Sequence, residues 1–185
     1  MYEEFDLLLE VNRRAKPRSK RIRSGLADDR RLNRDFKCIH CRNFVSTNPI
    51  LSGVNNRNHC PYCLYSRHLD LLEPGDRLAV CKALMRPVGL ALKRSKKKYA
   101  RPGQGELMLI HLCVDCGKVS LNRIAADDDS ELIFEVYTSS FALDEHVHTQ
   151  LYEHGVDALQ SQDIHLVQAQ LFGAAESLAG VQFYG

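Results

Sequence analysis

The chain has 185 residues, 44% hydrophobic and 26% charged, which is enough for one good core or two small ones. Its acidic start has an apolar run too short for a signal peptide or a membrane span, so we expect a soluble, cytoplasmic protein in a reducing compartment. The net charge of +2 hides an asymmetry, because residues 1–123 carry all 25 Lys and Arg against 12 acids (25 − 12 = +13) and residues 124–185 carry 11 acids. A net charge of this size on residues 1–123 attracts polyanions, so nucleic acid is the first partner to consider.

Residues 1–35 are predicted to form a short helix followed by a basic arm. Apolar residues in 2–11 recur at helical spacing, but so short a helix must dock on something to be stable. The segment 12–37 has 11 basic residues and almost nothing to bury, which indicates an arm that orders on a polyanion or a solvated linker. The residues of this arm expected to contact phosphates are Arg13, Arg14, Lys16, Arg18, Lys20, Arg21, Arg23, Arg30 and Arg31.

Residues 36–125 are predicted to form a zinc-binding domain, because six of the seven cysteines occur in CxxC pairs. A CxxC turn directs both sulfurs at one ion, and C-x2-C-x18-C-x2-C lies within the range of a four-cysteine zinc site. The redox alternative lacks the βαβ context it needs, and disulfides do not persist in a reducing compartment. The first predicted site comprises Cys38, Cys41, Cys60 and Cys63.

A second zinc site is predicted around the third CxxC pair. The segment LMLIHLCVDCGKVSLNRI has the pattern of a hairpin with a metal-binding turn at its tip, where Gly117 suits a positive φ. Its expected ligands are Cys81, Cys113, Cys116 and His68, with His59 and His111 as competing fourth ligands.

A different partition of the ligands is open at this point. The second and third cysteine pairs can exchange places, so that the pair at 60 and 63 joins Cys81 and His68. Either partition predicts two zinc ions. A site closed by four protein ligands is structural, since no position is left for a catalytic water.

Several separated motifs carry a resemblance to one family. The runs RNHCPYCLYSRHLD (57–70), PGDR (74–77), LMRPVGL (84–90), HLCVDCG (111–117) and NRIAADD (122–128) resemble, in this order, the RNHCP domain family. The resemblance covers about half of the chain and implies a zinc-ribbon-like domain with no assigned activity. The basic arm and the acidic C-terminal region lie outside it.

A second basic cluster, KRSKKKYAR at 93–101, is predicted to form a loop at the start of the hairpin. Six Lys or Arg in nine residues with Tyr99 suit a phosphate backbone and one stacked base. The residues expected to contact phosphates here are Lys93, Arg94, Lys96, Lys97, Lys98 and Arg101.

Residues 126–185 are predicted to be an acidic, mainly helical region that packs on the zinc domain or on a protein partner. The composition of 131–139 indicates a strand, whereas Leu143, Val147 and Leu151 share one face of a helix. A further helix is expected from Ser161, as its N-cap, to a stop at Gly173.

The sequence thus predicts an α+β fold with a small zinc-ribbon-like β-hairpin body, a basic N-terminal arm and an acidic helical C-terminal extension. A nucleophile elbow, a phosphate loop, HExxH and a dinucleotide fingerprint are all absent from the sequence, so we expect no enzyme. The expected function is RNA binding, most of all to ribosomal RNA as a ribosomal or ribosome-associated protein. The alternatives are a DNA-binding or transcription-associated zinc module and a protein-interaction adaptor that uses the acidic region.

Overall fold

The structure is a computed structural model that describes residues 34–94 and 105–173. The predicted N-terminal helix, most of the basic arm, the segment 95–104 and the chain from residue 174 lie outside the described residues. The strands are β1 (Phe36–Lys37), β2 (Phe44–Val45), β3 (Ser66–Arg67), β4 (Leu84–Arg94), β5 (Gly105–Cys113) and β6 (Val119–Arg123). The α-helices are α1 (Pro49–Ser52), α2 (Ser130–Ser139), α3 (Glu145–Glu153) and α4 (Ile164–Phe172), with 3-10 turns at Ser140–Ala142 and Ser161–Asp163.

The strands form two antiparallel sheets. A small one pairs β1 with β2, and a larger one has the order β3-β4-β5-β6. The hairpin predicted around the third CxxC pair is confirmed as β5 and β6. Its partner β4, paired with β5 from Met85↔Cys113 to Arg94↔Gly105, was not predicted. A proline inside the run argues against a strand, and the sheet accommodates Pro87 at a register shift between Pro87 and Gly89.

Helices cover both faces of the larger sheet, which explains why β5 is a nearly continuous apolar run. Successive side chains of a strand point to opposite faces, so a strand covered on both sides is apolar throughout. The buried cluster on the side of α2 and α4 consists of Leu64, Leu90, Leu107, Leu109, Ile133, Tyr137 and Val167. The buried cluster on the side of α3 consists of Val88, Ala91, Ile110, Leu112, Val119, Val147 and Leu151. The acidic helices therefore pack on the sheet that carries the third CxxC turn.

The strand predicted at 131–139 is wrong, because this segment is helix α2. Its N-cap is Asp129, whose Oδ1 accepts hydrogen bonds from the backbone N–H groups of Glu131 (3.0 Å) and Leu132 (3.2 Å). Ile133 and Tyr137, four residues apart, are both fully buried on the face that meets the sheet. Capping and burial of this face outweigh the strand-like composition.

The other two predicted helices are confirmed, with a change at the start of each. Helix α3 buries Val147 and Leu151 as expected, but it begins at Glu145, so Leu143 lies in the extended backbone before it. The last helix is preceded by a 3-10 turn whose N-cap is Gln160, one residue before the predicted cap Ser161. The N–H of Gln160 donates to Oδ2 of Asp163 (2.9 Å). It ends before Gly173 as predicted. In the described part of the chain, no helix is long and apolar enough to span a membrane.

Candidate metal centres

The three CxxC pairs lie in turns with the same backbone hydrogen bonds. In the first, the N–H of Cys38 donates to the carbonyl of Asn43 (2.8 Å), and the N–H of Arg42 donates to the carbonyl of Cys38 (3.1 Å). The turns that begin at Cys60 and Cys113 repeat both bonds at the same offsets. The residue four positions after the first cysteine has a φ of 67°, 59° and 71° in the three turns, and in the third it is the glycine that the sequence predicts there.

The first two turns bring four sulfurs together in what we call the first cluster. Sγ of Cys38 lies 3.7 Å from Sγ of Cys63, and Sγ of Cys41 lies 3.5 Å from Sγ of Cys60, with all four within 4.8 Å of one another. A disulfide requires about 2.05 Å. Sulfurs on a tetrahedral zinc ion with bonds of about 2.3 Å lie about 3.8 Å apart. The first cluster can therefore hold a metal ion.

The second cluster combines the third turn with two side chains from the segment before β4. Sγ of Cys81 lies 3.7 Å from Sγ of Cys113, and Nδ1 of His68 lies 3.3 Å from Sγ of Cys116. These four ligand atoms also lie within 4.8 Å of one another, so this cluster too can hold a metal ion. Burial, assisted by Lys118 and Lys82, lowers the pKa of His68 and favours the neutral imidazole that ligates metals.

Strand pairing explains why His68 reaches the third turn. His68 directly follows β3, and its N–H donates to the carbonyl of Ala83 (2.9 Å) just before β4. Since β4 pairs with β5 as far as Met85↔Cys113, both flanks of the β3–β4 connection lie beside that turn. The structure thus groups the eight side chains in the first of the two partitions that the sequence allows, and the exchanged partition does not occur.

The thiols of the first cluster differ in acidity because they differ in surroundings. Burial raises the pKa of Cys60 to about 11 and also raises the pKa of Cys63. In Cys41, burial is outweighed by hydrogen bonds from the backbone N–H of Asn43 and from the neighbouring thiols, which lower the pKa to about 7. A metal ion binds thiolate, so loading this cluster must displace protons, and its affinity for metal falls as the pH falls.

His111, one of the competing fourth ligands, serves the core instead. Its Nε2 lies 2.7 Å from the carbonyl of Leu64, and its Nδ1 lies 2.8 Å from the side-chain nitrogen of Asn122. This pattern identifies a neutral ring that donates from Nε2 and accepts at Nδ1. Burial lowers the pKa of His111 to about 4, which agrees with a neutral ring. The side chain thus ties β5 to the second CxxC turn.

His59, the other competitor, belongs to a buried network of charged residues that joins the first cluster to the loop after β6. The guanidinium of Arg57 donates from Nη1 to both oxygens of Asp127 (2.8 and 2.7 Å) and from Nη2 to Oδ1 of Asp128 (2.9 Å). Nε2 of His59 lies 2.8 Å from Oδ2 of Asp128, which also accepts from the N–H of Ala125 (2.7 Å). The side chains of Arg57 and Asp128 are fully buried.

Sequence reasoning assigned no role to this network. Its members lie in the motifs RNHCP and NRIAADD, which are about 70 positions apart. Charged residues in two separated motifs of one resemblance are the signal from which the contact could have been inferred. Neither motif shows by itself which carboxylate is buried.

Few of the predicted phosphate-contacting residues lie in the described part of the chain. Lys93 is exposed near the end of β4, and the backbone of Arg94 pairs with Gly105. The remaining predicted contacts lie outside the described residues: Arg13, Arg14, Lys16, Arg18, Lys20, Arg21, Arg23, Arg30, Arg31, Lys96, Lys97, Lys98 and Arg101. These stay predictions.

Comparison with known proteins returns one family. The family model described as the RNHCP domain matches residues 33–134, a span that contains both clusters and the buried network. No curated protein and no solved structure shows significant similarity to the chain.

Proposed function

The chain belongs to the RNHCP domain family, and we propose that it is a zinc-stabilised nucleic-acid-binding protein that acts on RNA. The target we favour is ribosomal RNA. The chain would then be a ribosomal or ribosome-associated protein of the cytoplasm. The observation that carries the proposal is the separation of charge, since all 25 Lys and Arg lie in residues 1–123. The acidic C-terminal helices pack on the sheet through their apolar residues.

The position of the second basic cluster supports an RNA-binding role. Strands β4 and β5 stay paired up to Arg94↔Gly105, so the residues on either side of the segment between them are held by the sheet. Positive residues on a fixed base reach a phosphate backbone with less loss of conformational freedom than residues on a free chain. Each phosphate that they neutralise releases counterions, which makes the affinity depend on salt.

Zinc suits both clusters by its chemistry, and its role in the proposal is to stabilise the fold. Three or four thiolates with at most one imidazole are ligands that zinc prefers. Each cluster offers four protein ligands, so a bound ion has no open position for water or substrate. We therefore infer no catalysis at either metal.

Loading with cobalt is expected to test the metal assignment directly. The metal-free protein should bind two equivalents of cobalt(II), one per cluster, with the thiolate-to-metal absorption of tetrahedral sites. Metal analysis of the protein purified from cells should return two zinc ions per chain. A single ion, or a cobalt complex without thiolate bands, would contradict the assignment.

Neutralising residues 93–98 of the second basic cluster is expected to weaken RNA binding by about tenfold or more at moderate salt, with little change in Tm. In a plot of log affinity against log salt concentration, the slope should shrink by about 0.9 for each duplex phosphate that the variant no longer neutralises. The substitutions are Lys93→Gln, Arg94→Gln, Lys96→Gln, Lys97→Gln and Lys98→Gln.

The matched control keeps the charge by exchanging each lysine of this segment for arginine and the arginine for lysine. It should bind RNA with nearly the wild-type salt slope. A glutamine variant indistinguishable from the wild type would remove this segment from the proposal. Tighter binding to duplex DNA than to structured RNA would favour the DNA-binding alternative, and a cellular complex that survives nuclease treatment would favour the adaptor.

A further inference from the structure

A cleft of about 330 Å³ lies beside the first cluster, and Cys38 of that cluster is one of its lining residues. It opens between β1 with the first CxxC turn on one side and β3 with the segment after it on the other. Its size falls within the range of small-molecule sites, roughly 300 to 1,000 Å³. The basic residues that line it are Arg34, Lys37, Arg57, Arg67 and Arg77, and no acidic residue among those described lines it.

Three of these cations are available to a ligand. Arg57 is neutralised by its two aspartates, and Nη1 of Arg77 lies 3.4 Å from Oδ1 of Asp70. In the described part of the chain, no carboxylate lies within ion-pairing distance of Arg34, Lys37 or Arg67. Arg67 is also held in place, because its Nε donates to the carbonyl of Lys82 (2.8 Å). An anion in the cleft would therefore meet unpaired positive charge, and two nitrogens of a positioned guanidinium suit a phosphate.

Apolar and aromatic side chains from both sides also line the cleft, and we call them together the aromatic wall. They are Phe36, Ile39, Tyr65 and Leu69. The ring of Tyr65 stacks on His40 with centroids 3.7 Å apart and planes 8° apart. A ring fixed in this way loses little further freedom when a planar group packs on the aromatic wall. Unpaired cations beside an aromatic wall match the two halves of a nucleotide, a phosphate and a base.

One residue of the cleft has a buried polar atom without a partner among the described residues. Asn58 is 8% exposed and lines the cleft as well as two neighbouring concavities. Its side-chain oxygen is buried and has no hydrogen-bond donor among the described residues. Buried acceptors are nearly always satisfied, so an N–H group of a ligand or a water held with it would complete this site.

We propose that the cleft between the first CxxC turn and β3 binds a single nucleotide unit, with its phosphate at Lys37 and Arg67 and its base against the aromatic wall. The choice of a nucleotide as ligand rests on the proposed function, since that function concerns nucleic acid. The site itself is separate from the basic segments. The unit comes either from a free nucleoside monophosphate or from one residue of a single-stranded RNA.

A different interpretation of the same cations is that they only offset the negative charge of four thiolates on a metal ion. The two interpretations separate in the laboratory. If the cations serve only the metal, removing them should lower the metal content, and the wild type should bind no nucleotide. If they serve a nucleotide, metal content should stay at the wild-type value while nucleotide binding falls.

The test measures binding of each of the four ribonucleoside 5′-monophosphates to the full-length, metal-loaded protein by equilibrium dialysis. The variant Lys37→Ala with Arg67→Ala removes one lysine and one arginine from the cleft, and both side chains are exposed. The matched control, Arg86→Ala with Arg123→Ala, removes the same charge from positions that do not line the cleft. We expect the cleft variant to bind the preferred nucleotide at least about tenfold more weakly and the control to bind within about twofold of wild type.

Two further arms identify the ligand. Inorganic phosphate should bind at least about tenfold more weakly than the preferred nucleotide, because it cannot use the aromatic wall. If a ten-nucleotide single-stranded RNA competes with the mononucleotide, the natural ligand of the site is one residue of a polymer. If this RNA does not compete, the ligand is a free nucleoside monophosphate; both results support the site. Failure of every nucleotide to bind wild type, equal loss in the two variants, or equal binding of phosphate and nucleotide would each overturn the inference.

The outcomes for the cleft and for the proposed function are distinguishable. Glutamine substitution of the segment 93–98 should weaken binding of structured RNA and leave mononucleotide binding unchanged. If structured RNA binds through that segment while mononucleotides do not bind, the proposed nucleotide site in the cleft is wrong and the proposed function stands. If mononucleotides bind in the cleft while RNA does not bind at all, the proposed function is wrong and the proposed nucleotide site stands.

Discussion

Replacing Cys60 with serine is expected to lower the metal content from two ions per chain to one and to unfold the region around the first cluster. Cys60 is fully buried, and its sulfur is one of the four in that cluster. A structural zinc site contributes on the order of 10 kcal/mol to folding. The apolar cluster there has only Cys38, Val45 and Cys60 as buried members among the described residues, so little else holds the two turns together.

The unfolding should spread only part of the way into the molecule. The carbonyl of Leu64 contacts His111 of β5, and Arg57 contacts Asp127 and Asp128, so the first cluster is linked to the sheet. The sheet nevertheless has its own two apolar clusters and the second metal centre. Metal analysis with hydrogen exchange should therefore show one retained ion, exchange in residues 34–64 and protection in β4 and β5.

The control for this substitution is Tyr62→Ser, in the same CxxC turn. Tyr62 is 62% exposed and contributes no ligand atom to the first cluster, so its replacement should leave two ions and a Tm close to that of wild type. If the Cys60 variant keeps both ions and the wild-type stability, the first cluster does not hold a structural metal.

Asp128→Asn is expected to lower the free energy of unfolding by about 3–5 kcal/mol. The carboxylate is fully buried and accepts hydrogen bonds from Arg57 and from the backbone of Ala125, with His59 at 2.8 Å. An amide of the same shape replaces one acceptor oxygen with a donor and leaves the charge of the buried guanidinium less compensated. Urea denaturation at a fixed zinc concentration measures the change from the midpoint at constant m.

The neighbouring Asp127→Asn serves as the matched control, because it makes the same chemical change one residue away. Asp127 also contacts Arg57, but its side chain is 41% exposed. Water can replace much of what it provides, so we expect a destabilisation of less than about 1 kcal/mol. Equal destabilisation by both substitutions would show that burial of Asp128 does not set the strength of the network.

Local features of this protein could be predicted from the sequence. The two-residue spacing of the cysteines predicts turns that direct two sulfurs at one point, and all three turns have the same backbone pattern. The hairpin of β5 and β6 and the helices α3 and α4 follow from apolar periodicity over a few residues. In each case the interactions that determine the structure lie within one element or one turn.

Contacts between distant segments were beyond the reach of such reasoning. Residues 131–139 have the composition of a strand, but a cap at Asp129 and a face buried against the sheet make them a helix. Strand β4 contains Pro87, and a proline inside an apolar run argues against a strand when only the sequence is known. The pairing of β4 with β5 reveals the register shift at which the sheet accommodates this proline. The balance between local preference and tertiary packing depends on which surfaces are buried.

The sequence by itself establishes that this chain has seven cysteines, six of them in CxxC pairs of the kind that recurs at zinc sites, together with a strongly basic part and an acidic one. The choice of histidine for the second cluster required the folded chain, because His68 and Cys116 are 48 positions apart and meet through the pairing of β3, β4 and β5. The same holds for the buried network of Arg57 and for the cleft beside the first cluster. Each depends on distances between remote segments, which spacing along a chain does not contain.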